Sequence, residues 1–416
     1  MLTVAEAVAR IVADVSRGPV ERVALRDALG RVLATPAISP ITIPAWDNSA
    51  MDGYAVRAAD VERASAEAPT TLPVLETIAA GGFASRPLSL GAAMRIMTGA
   101  PLPDGADTVI RVEDTDGGIE HVTVRNARDL RKNIRHRGED IHEGQVVLEA
   151  GSPIYAAQLG VLASIGSAQV DVYARPRVAI MTSGDELVDL DRFDEVRRGR
   201  KIISSNSYTL EALVRGAGGV PVPLGTARDD PSDIRERLER GISCELIVTS
   251  AGISVGEFDH LRGVLDSMGV DLKFWRVKMR PGAPIGFGLV RGTPWIGLPG
   301  NPVSTMVTFD LFVRPAIRKM LGHERLFRRP VTVTLEEPIS IGARLTHFLR
   351  ATVRPGDNGQ LLARLTGPQG SGILTSMSKA EALVIVPEDR ARVEAGENVH
   401  AFLLTEDTQL ATTFAM

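Results

Sequence analysis

The chain has 416 residues, of which 44% are hydrophobic and 24% charged, and its net charge is -4. This length exceeds the roughly 250–300 residues at which a single hydrophobic core stops growing, so about two to four domains are expected. The net charge and the 4% aromatic content argue against a protein that coats nucleic acid, and one cysteine with seven scattered histidines argues against a zinc site.

The first 35 residues predict two helices separated by Gly18-Pro19. Residues 1–15 alternate Ala and Val with charged residues, which is typical of an amphipathic helix and unlike a signal peptide. Because no apolar run reaches about 18 residues, no segment is expected to span a membrane. We therefore expect a cytoplasmic protein that binds neither membranes nor nucleic acid.

Short β-type runs dominate residues 52–150, after a proline-rich connector at residues 36–50. Turns of Gly, Pro and Asp separate these runs, which predicts a small β-rich domain. Helical periodicity then returns at residues 152–166. We therefore expect an N-terminal helical and linker domain, interrupted by an inserted β-rich domain. Their expected bounds are residues 1–45 plus 142–174 for the first and residues 46–141 for the second.

The chain changes character at residue 175, where buried strands begin to alternate with helices. This alternation predicts a doubly wound domain with a parallel sheet over residues 175–325. β-type runs return afterwards, so residues 326–416 are expected to form a β-barrel-like domain. The expected fold class is therefore multidomain, α/β and β.

Four loops follow strands of the predicted parallel sheet, at the edge where open α/β sheets bind ligands. Their glycines and helix N-termini offer backbone N–H groups to phosphate or another oxyanion. Taken singly, each loop also fits a structural role, since acidic residues favour turns and the first turns of helices. The candidate residues are Thr182, Ser183, Gly184 and Glu186 in the first loop, Asp229 in the second, Ser250, Gly252, Ser254, Gly256 and Asp259 in the third, and Pro299, Gly300, Asn301 and Pro302 in the fourth.

Carboxylates from several loops would repel one another at a shared edge unless a cation lies between them. Oxygen ligands suit a hard ion, and Mg²⁺ held partly by substrate phosphate is the expected choice. We therefore predict a phosphorylated ligand that is bridged to the protein by this metal. No P-loop motif occurs, and residues 286–292 miss the GxGxxG spacing by one residue.

Eight motifs occur in order along the chain: DNSAMDGYAVR, RIMTGAP, NIRHRGEDI, TSGDEL, RDDP, SAGISVGEFD, MRPGAPIGFG and LPGNPVS. In this order and with this spacing they resemble molybdopterin molybdenumtransferases, whose animal counterpart is the C-terminal domain of gephyrin. The resemblance covers nearly the whole chain. It implies the fold expected above and a homodimer, with the active cleft between the doubly wound domain of one subunit and the inserted domain of its partner.

The resemblance also implies a reaction, in which a divalent cation such as Mg²⁺ assists cleavage of the phosphate–AMP bond of adenylylated molybdopterin. Molybdate is then placed on the dithiolene sulfurs. A molybdopterin adenylyltransferase and apo-molybdoenzymes are the implied transient partners. Carried onto this chain, the catalytic residues are Asp52, Thr98, Glu186, Asp229 and Asp259, and the metal ligands are Glu186, Asp229 and Asp259. The implied substrate-binding residues are those of the four loops together with Arg276, Arg280, Arg350 and Ser371.

Residues 276–284 depart from the common family pattern. Arg280 and Ala283 stand where many members have lysines, and Arg276 corresponds to a lysine of some members. Positive charge is kept at two positions and lost at one, so we expect an anion affinity that differs from that of common members. Arginine still suits a tetrahedral dianion such as molybdate, because its donors form a fixed fork.

Two other functions stay open at the level of sequence. One is a gephyrin-like dimeric scaffold, and the other is a molybdopterin adenylyltransferase, which has a related doubly wound domain. Four acidic residues, Asp52, Glu186, Asp229 and Asp259, favour catalysis, because a scaffold does not need them clustered. The expected N-terminal and C-terminal domains weigh against the adenylyltransferase. Molybdate and tungstate are not distinguished, because the two dianions have nearly the same shape and charge.

Overall fold

The structure is a computed structural model that describes residues 1–251, 258–342 and 344–405, with the backbone alone at residues 258 and 259. The chain divides into two compact units. The larger unit comprises Met1–Ala34, Gly151–Tyr155 and Gln169–Met416, and the smaller unit comprises Thr35–Ala150 and Ala156–Ala168. Along the sequence, the smaller unit is thus inserted into the larger one.

Helix α1 (Val4–Asp14) opens the larger unit with a capping box. The Glu6 N–H donates to Thr3 Oγ1 at 3.2 Å, and the Thr3 N–H donates to the Glu6 carboxylate at 2.7 Å, so two orphan donors are satisfied. The predicted second helix is wrong. Strand β1 (Val20–Ala24) stands there instead, followed by a short 3₁₀ turn. β1 pairs antiparallel with Gln169–Tyr173, and these hydrogen bonds to a distant segment override the local helix propensity.

The smaller unit is β-rich, which confirms the prediction for residues 52–150. It contains strands β2 (Ala37–Ile38), β3 (Asn48–Ser49), β4 (Gly53–Val56), β5 (Thr70–Ile78), β6 (Ala93–Ile96), β7 (Thr108–Arg111), β8 (His121–Val124), β9 (Ile134–Arg135) and β10 (Val146–Leu148), with helices α2 (Ala58–Val61) and α3 (Ala156–Ser164). The main sheet has the strand order β7-β4-β6-β5-β8. Its apolar side chains, such as Tyr54 and Ile110, are fully buried and form the core.

The larger unit continues with β11 (Gln169–Tyr173), the partner of β1, and then with the doubly wound part. The strands that follow β11 are β12 (Arg177–Ser183), β13 (Leu187–Val188), β14 (Ile202–Ile203), β15 (Val220–Ala227), β16 (Leu246–Ser250), β17 (Val270–Arg276), β18 (Met279–Arg280), β19 (Pro284–Val290) and β20 (Thr293–Leu298). Its helices are α4 (Phe193–Arg197), α5 (Ser205–Gly216), α6 (Pro231–Gly241), α7 (Phe258–Ser267), α8 (Pro302–Thr308) and α9 (Arg314–Met320), the last two joined by a π-helical segment at Phe309–Val313.

The central sheet has the order β15-β12-β16-β20-β19-β17. The first four strands run parallel, and the last two add antiparallel pairs. Apolar clusters cover both faces, one with Leu210 of α5 and Val307 of α8, the other with Leu238 of α6 and Leu265 of α7. Because both faces are covered, the inner parallel strands β12 and β16 are buried along nearly their whole length. The doubly wound class is confirmed.

The C-terminal part is a closed β-barrel. It contains strands β21 (Val331–Leu335), β22 (Ile339–Ser340), β23 (Thr346–Pro355), β24 (Leu361–Leu365), β25 (Ala382–Val386), β26 (Arg392–Val393) and β27 (Asn398–Leu403), with helix α10 (Leu374–Ser378). The strand order β23-β24-β21-β27-β25 closes because β25 also pairs with β23. The short strand β18 adds to this sheet through a parallel pairing with the start of β23.

Candidate active site

The four parallel strands of the central sheet end at one common edge. Ser183, the last residue of β12, is in register with Ala227 of β15, and Thr182 is in register with Ser250 of β16. Ser250 in turn is in register with Leu298, the last residue of β20. The loops that follow these strands therefore begin side by side, which is the place where open α/β sheets bind ligands.

A cavity of about 560 Å³ opens at this edge. Seven residues of its wall belong to the predicted substrate-binding or catalytic set, namely Thr182, Glu186, Ser250, Pro299, Gly300, Asn301 and Pro302. The remaining wall residues are Leu187, Ile202, Ile203, Ser204, Ser205, Asn206, Ala251, Pro284, Gly372 and Leu374. A cavity of this size, with apolar walls and a few converging polar groups, is typical of a small-molecule site.

The turn after β20 is held rigidly by hydroxyl groups. The Thr305 hydroxyl donates to the Pro299 carbonyl at 2.6 Å, and the Ser250 hydroxyl donates to the same carbonyl at 3.1 Å. The Thr305 N–H donates to the Asn301 carbonyl at 2.9 Å, which starts α8 with Pro302 at its first position. Two prolines and three hydrogen bonds thus fix this side of the cavity.

Two acidic loops are hydrogen-bonded to each other at the same edge. The Asp185 N–H donates to Asp229 Oδ2 at 3.3 Å, and the Asp229 N–H donates to Asp185 Oδ1 at 3.2 Å. Gly184 has φ 143°, and a Cβ there would lie 2.6 Å from a Glu186 carboxylate oxygen. The glycine therefore allows the Glu186 carboxylate to approach the loop backbone closely. The structure thus brings Glu186 and Asp229 to adjacent loops.

Glu186 and Asp229 form an acidic corner of the site, and their carboxylate oxygens suit a hard cation. Mg²⁺ commonly takes only one or two carboxylates and completes its shell with water and substrate phosphate, so Glu186 and Asp229 fit it. Within the described residues, no group of three or more His, Cys, Asp or Glu side chains is placed to hold a metal ion. Four predicted site residues lie outside the described part of the chain: Gly252, Ser254 and Gly256 entirely, and Asp259 for its side chain.

In the smaller unit, Asp52 and Thr98 form a hydrogen-bonded pair. Asp52 Oδ1 accepts both the Thr98 N–H and the Thr98 hydroxyl, each at 2.7 Å. The backbone hydrogen bond and then the hydroxyl hold the pKa of Asp52 below its usual value. Asp52 is solvent-exposed at the start of β4, so its carboxylate is an accessible anion in a fixed orientation.

Arg350 on β23 is completely buried. Its Nε donates to Ser376 Oγ at 2.9 Å, and its Nη2 donates to the carbonyls of Pro368 and Gly370 at 3.0 and 3.1 Å. Its Nη1 finds no acceptor within the described residues. Burial lowers the pKa of the Arg350 guanidinium. A buried cation with a spare donor is a suitable place for an anion.

Ser371 lies close to the cavity, although it is not part of its wall. Its carbonyl accepts the Val303 N–H at 3.1 Å in the first turn of α8. Its neighbour Gly372 lines the cavity. The loop after β24 therefore brings the barrel to the doubly wound part at the mouth of the site.

Three family models match successive parts of the chain. They are described as the MoeA N-terminal region (domain I and II) over residues 2–166, a probable molybdopterin binding domain over residues 179–319, and the MoeA C-terminal region (domain IV) over residues 332–404. The protein named molybdopterin molybdenumtransferase 2 from Mycobacterium tuberculosis is 38% identical over 404 residues, which are 95% of this chain and 98% of that protein. The chain belongs to the molybdopterin molybdenumtransferase family.

Other members support the assignment to this family of transferases. A molybdopterin molybdenumtransferase from Nostoc sp. is 36% identical over 391 residues, which are 92% of this chain and 88% of that protein. The crystal structure of the molybdopterin biosynthesis moeA protein from Pyrococcus horikoshii OT3 matches with a TM-score of 0.84 and 30% identity, covering 97% of this chain and 100% of that one. The resemblance drawn from the motifs and the expected fold are confirmed.

In this family member, Arg276 and Arg280 are exposed and lie outside the cavity wall. Arg276 ends β17, and Arg280 lies in β18, where it is in register with His347 of the barrel. The carbonyl of Ala283 accepts the Val277 N–H at 3.0 Å, so the segment between β17 and β19, which contains β18, turns back on itself.

No helix in the described ranges is long and apolar enough to cross a membrane.

The sequence prediction missed the wall segment at the junction of β14 and α5. Helix α5 begins at Ser205, and Ser204 occupies its N-cap position. Ser204 Oγ makes no capping bond, because it lies 3.0 Å from Thr182 Oγ1 and 2.7 Å from Ser207 Oγ. The available signal was the run of four polar residues, SSNS, directly after a strand.

Proposed function

We propose that the chain inserts molybdate into adenylylated molybdopterin with release of AMP, the final step of molybdenum cofactor synthesis. The observation that carries the proposal is the cavity at the carboxyl edge of the central sheet, with Glu186 in its wall. Most of this wall falls within residues 179–319, the segment that matches a probable molybdopterin binding domain. The family to which the chain belongs supports the same reaction.

Mg²⁺ is part of the proposal, with Glu186, Asp229 and Asp259 as its ligands beside the substrate phosphates. Bound there, the ion would neutralise charge on the phosphates while the bond to AMP breaks. The chain's own part is to hold the phosphates against the backbone N–H groups of the glycine loops that follow Ser183 and Ser250. In this form, catalysis consists mainly of positioning the substrate phosphates.

Asp52 and Thr98 complete the proposed catalytic set. Because hydrogen bonds from Thr98 lower the pKa of Asp52, its carboxylate is ionised at every physiological pH. An ionised carboxylate accepts hydrogen bonds or neutralises a cation, and it does not serve as a proton donor. We therefore assign Asp52 an electrostatic and orienting role.

Molybdate is proposed to bind away from the acidic corner, because carboxylates repel a dianion. Arg276, Arg280, Arg350 and Ser371 are the proposed contacts. The spare Nη1 of buried Arg350 supports this assignment. Arg350 is held in place by Ser376 and by two carbonyls, so its donors are oriented before the anion arrives.

We also propose a homodimer that acts in the cytoplasm and exchanges its substrate and product with transient partners. A molybdopterin adenylyltransferase would deliver the adenylylated pterin, and apo-molybdoenzymes would receive the finished cofactor. The proposed cleft takes the doubly wound part from one subunit and the inserted β-rich part from the other.

The decisive experiment mixes the purified protein with adenylylated molybdopterin, Mg²⁺ and molybdate. We expect AMP release, measured by chromatography, together with reconstitution of an apo-molybdoenzyme. Inactive wild-type protein that still forms dimers would favour the gephyrin-like scaffold. Formation of the adenylylated pterin from ATP and molybdopterin would instead favour the adenylyltransferase. Parallel reactions with tungstate test the choice of anion.

Two substitutions test the acidic corner. We expect Glu186→Ala and Asp229→Ala each to lower the rate of AMP release by at least about 100-fold, since each removes a group that neutralises or orients the phosphates. The dimer should persist, as measured by sedimentation. Asp266→Ala is the matched control, because Asp266 pairs with Arg262 on α7 away from the cavity wall. Normal AMP release by either site variant would remove that residue from the site.

A further inference from the structure

Asn206 lies in the first turn of α5 and lines the cavity. Hydrogen bonds within the protein determine the orientation of its side-chain amide. Its Nδ2 donates to Ser250 Oγ at 2.9 Å and to the Gly300 carbonyl at 2.7 Å. A carbonyl oxygen only accepts, so the nitrogen must face Gly300 and the amide has no alternative flipped state. Both N–H groups of Asn206 are therefore used within the protein.

The Asn206 carbonyl oxygen is left without a donor. Oδ1 is buried and has no hydrogen-bond partner within the described residues. The nearby hydroxyls do not supply one, because Ser204 Oγ is engaged with Thr182 and Ser207. A buried acceptor without a donor costs free energy, so it calls for a specific partner.

The hydroxyl cluster of this wall does not define a direction. In it, Thr182 Oγ1 lies 3.0 Å from Ser204 Oγ and 2.9 Å from Thr226 Oγ1, and either atom of each pair could be the donor. Hydroxyls reorient their protons to suit donors and acceptors alike. The Asn206 amide, in contrast, presents an acceptor in one locked orientation.

We propose that Asn206 is a specificity-determining residue that accepts a hydrogen bond from the exocyclic 2-amino group of the pterin ring. The proposal rests on the proposed function, which supplies a pterin as the ligand. Because Oδ1 only accepts, its partner on the ligand must carry an N–H donor, and the exocyclic amino group of a pterin supplies one at the ring edge. A ring with a carbonyl at that position would oppose one acceptor to another and would be rejected.

The test compares two fluorescent ring probes, 6-hydroxymethylpterin and 6-hydroxymethyllumazine, which differ at this position by an amino group against a carbonyl. We expect the wild-type protein to bind the pterin probe at least about tenfold more tightly. Asn206→Ala should weaken binding of the pterin probe and bring the ratio of the two dissociation constants close to one. If thermal melting shows that this variant does not fold, Asn206→Ser is measured in the same way.

Arg215→Ala is the matched control on the same helix. Arg215 pairs with Glu211 within α5 at 2.9 Å, and neither residue is in the cavity wall, so its loss perturbs the helix without altering the wall. This variant should keep the wild-type ratio. Equal weakening of both probes in the Asn206 variants would mean a structural role and would overturn the proposal. Wild-type protein that binds neither probe, or both equally, would overturn it as well.

AMP release is measured separately on the wild-type protein. Absence of AMP release with a preserved preference for the pterin probe would contradict the transferase and leave Asn206 as a pterin reader. Normal AMP release without that preference would contradict the role of Asn206 alone. The two failures are thus distinguishable.

Discussion

Burial has different consequences for the charges of Arg350 and His323, two titratable side chains of the larger unit. Burial lowers the pKa of Arg350, yet a guanidinium keeps its charge in proteins, so Arg350 stays a buried cation. His323, after α9, has its pKa lowered to about 4 by burial and by the charges of Arg318 and Arg314. At neutral pH His323 is therefore uncharged. Desolvation thus leaves a permanent charge on Arg350 and no charge on His323 at neutral pH.

The lowered pKa of His323 predicts that the protein loses stability in mild acid. Its pKa is 6.5 in the unfolded chain and about 4 in the folded chain, so the unfolded state binds the proton first as the pH falls. As the pH falls from 6.5 to about 4, the free energy of unfolding should therefore decrease. Below about pH 4, His323 should cause no further change. The decrease is at most on the order of 3 kcal/mol.

Denaturant unfolding at pH 7.5 and pH 5 measures this effect. His323→Gln should flatten the difference between the two conditions, because glutamine does not titrate. The matched control is His400→Gln at an exposed position of β27. An equal pH dependence in the His323 variant and the wild type would show that His323 is not the cause.

At the scale of elements, the strand that carries Asp52 depends on a glycine. Gly53 starts β4 and is in register with Arg111 of β7. A Cβ at Gly53 would lie 2.0 Å from the Ile110 carbonyl oxygen, whereas a Cβ at Gly160 in α3 meets nothing within 4 Å. The glycine of the DNSAMDGYAVR motif is thus required for close approach of two backbones, and it positions the Asp52–Thr98 pair indirectly.

Two glycine substitutions within the smaller unit should have opposite effects. Gly53→Ala should destabilise this unit by about 3 kcal/mol or more, because the obstacle is backbone and does not yield like a flexible side chain. Gly160→Ala should be neutral or stabilise it by up to about 1 kcal/mol, since alanine favours a helix. Hydrogen exchange of the β4 and β7 amides measures the first effect. Wild-type protection in Gly53→Ala would refute the packing argument.

At the scale of the whole molecule, the site depends on parts of the chain that are far apart in sequence. One apolar cluster contains Ile317 of α9 together with Phe348 and Leu383 of the barrel, so the barrel and the doubly wound part share a core. The barrel thereby supplies Gly372 and Leu374 to the cavity wall. Folding of the barrel is therefore a condition for a complete cavity.

The proposed dimer predicts complementation between subunits. If each site takes Asp52 from one subunit and Glu186 from the other, Asp52→Ala and Glu186→Ala proteins should each be inactive. Co-expression with random pairing makes half of the dimers mixed, and each mixed dimer has one intact site of two. The expected AMP release is therefore about a quarter of the wild-type rate. A mixture as inactive as its parents would contradict a shared site.

The amino-acid sequence by itself determined the local features of this protein. The buried run at Arg177–Ser183 followed by a polar loop, and Pro302 after a tight turn, contain their own structural signals. Such strands, turns and helix starts depend on residues within a few positions of one another, so they are readable without a structure. The order of the motifs likewise identified the family.

Only the tertiary structure decided which distant segments meet. Val20–Ala24 is a strand because Gln169–Tyr173 pairs with it, and Ile202–Asn206 lines the cavity because β14 and α5 lie beside the ends of the central strands. The locked amide of Asn206 and the Asp52–Thr98 pair arise in the same way. Such contacts depend on the packing of the whole chain, which competes with local propensity and is not contained in any short stretch of sequence.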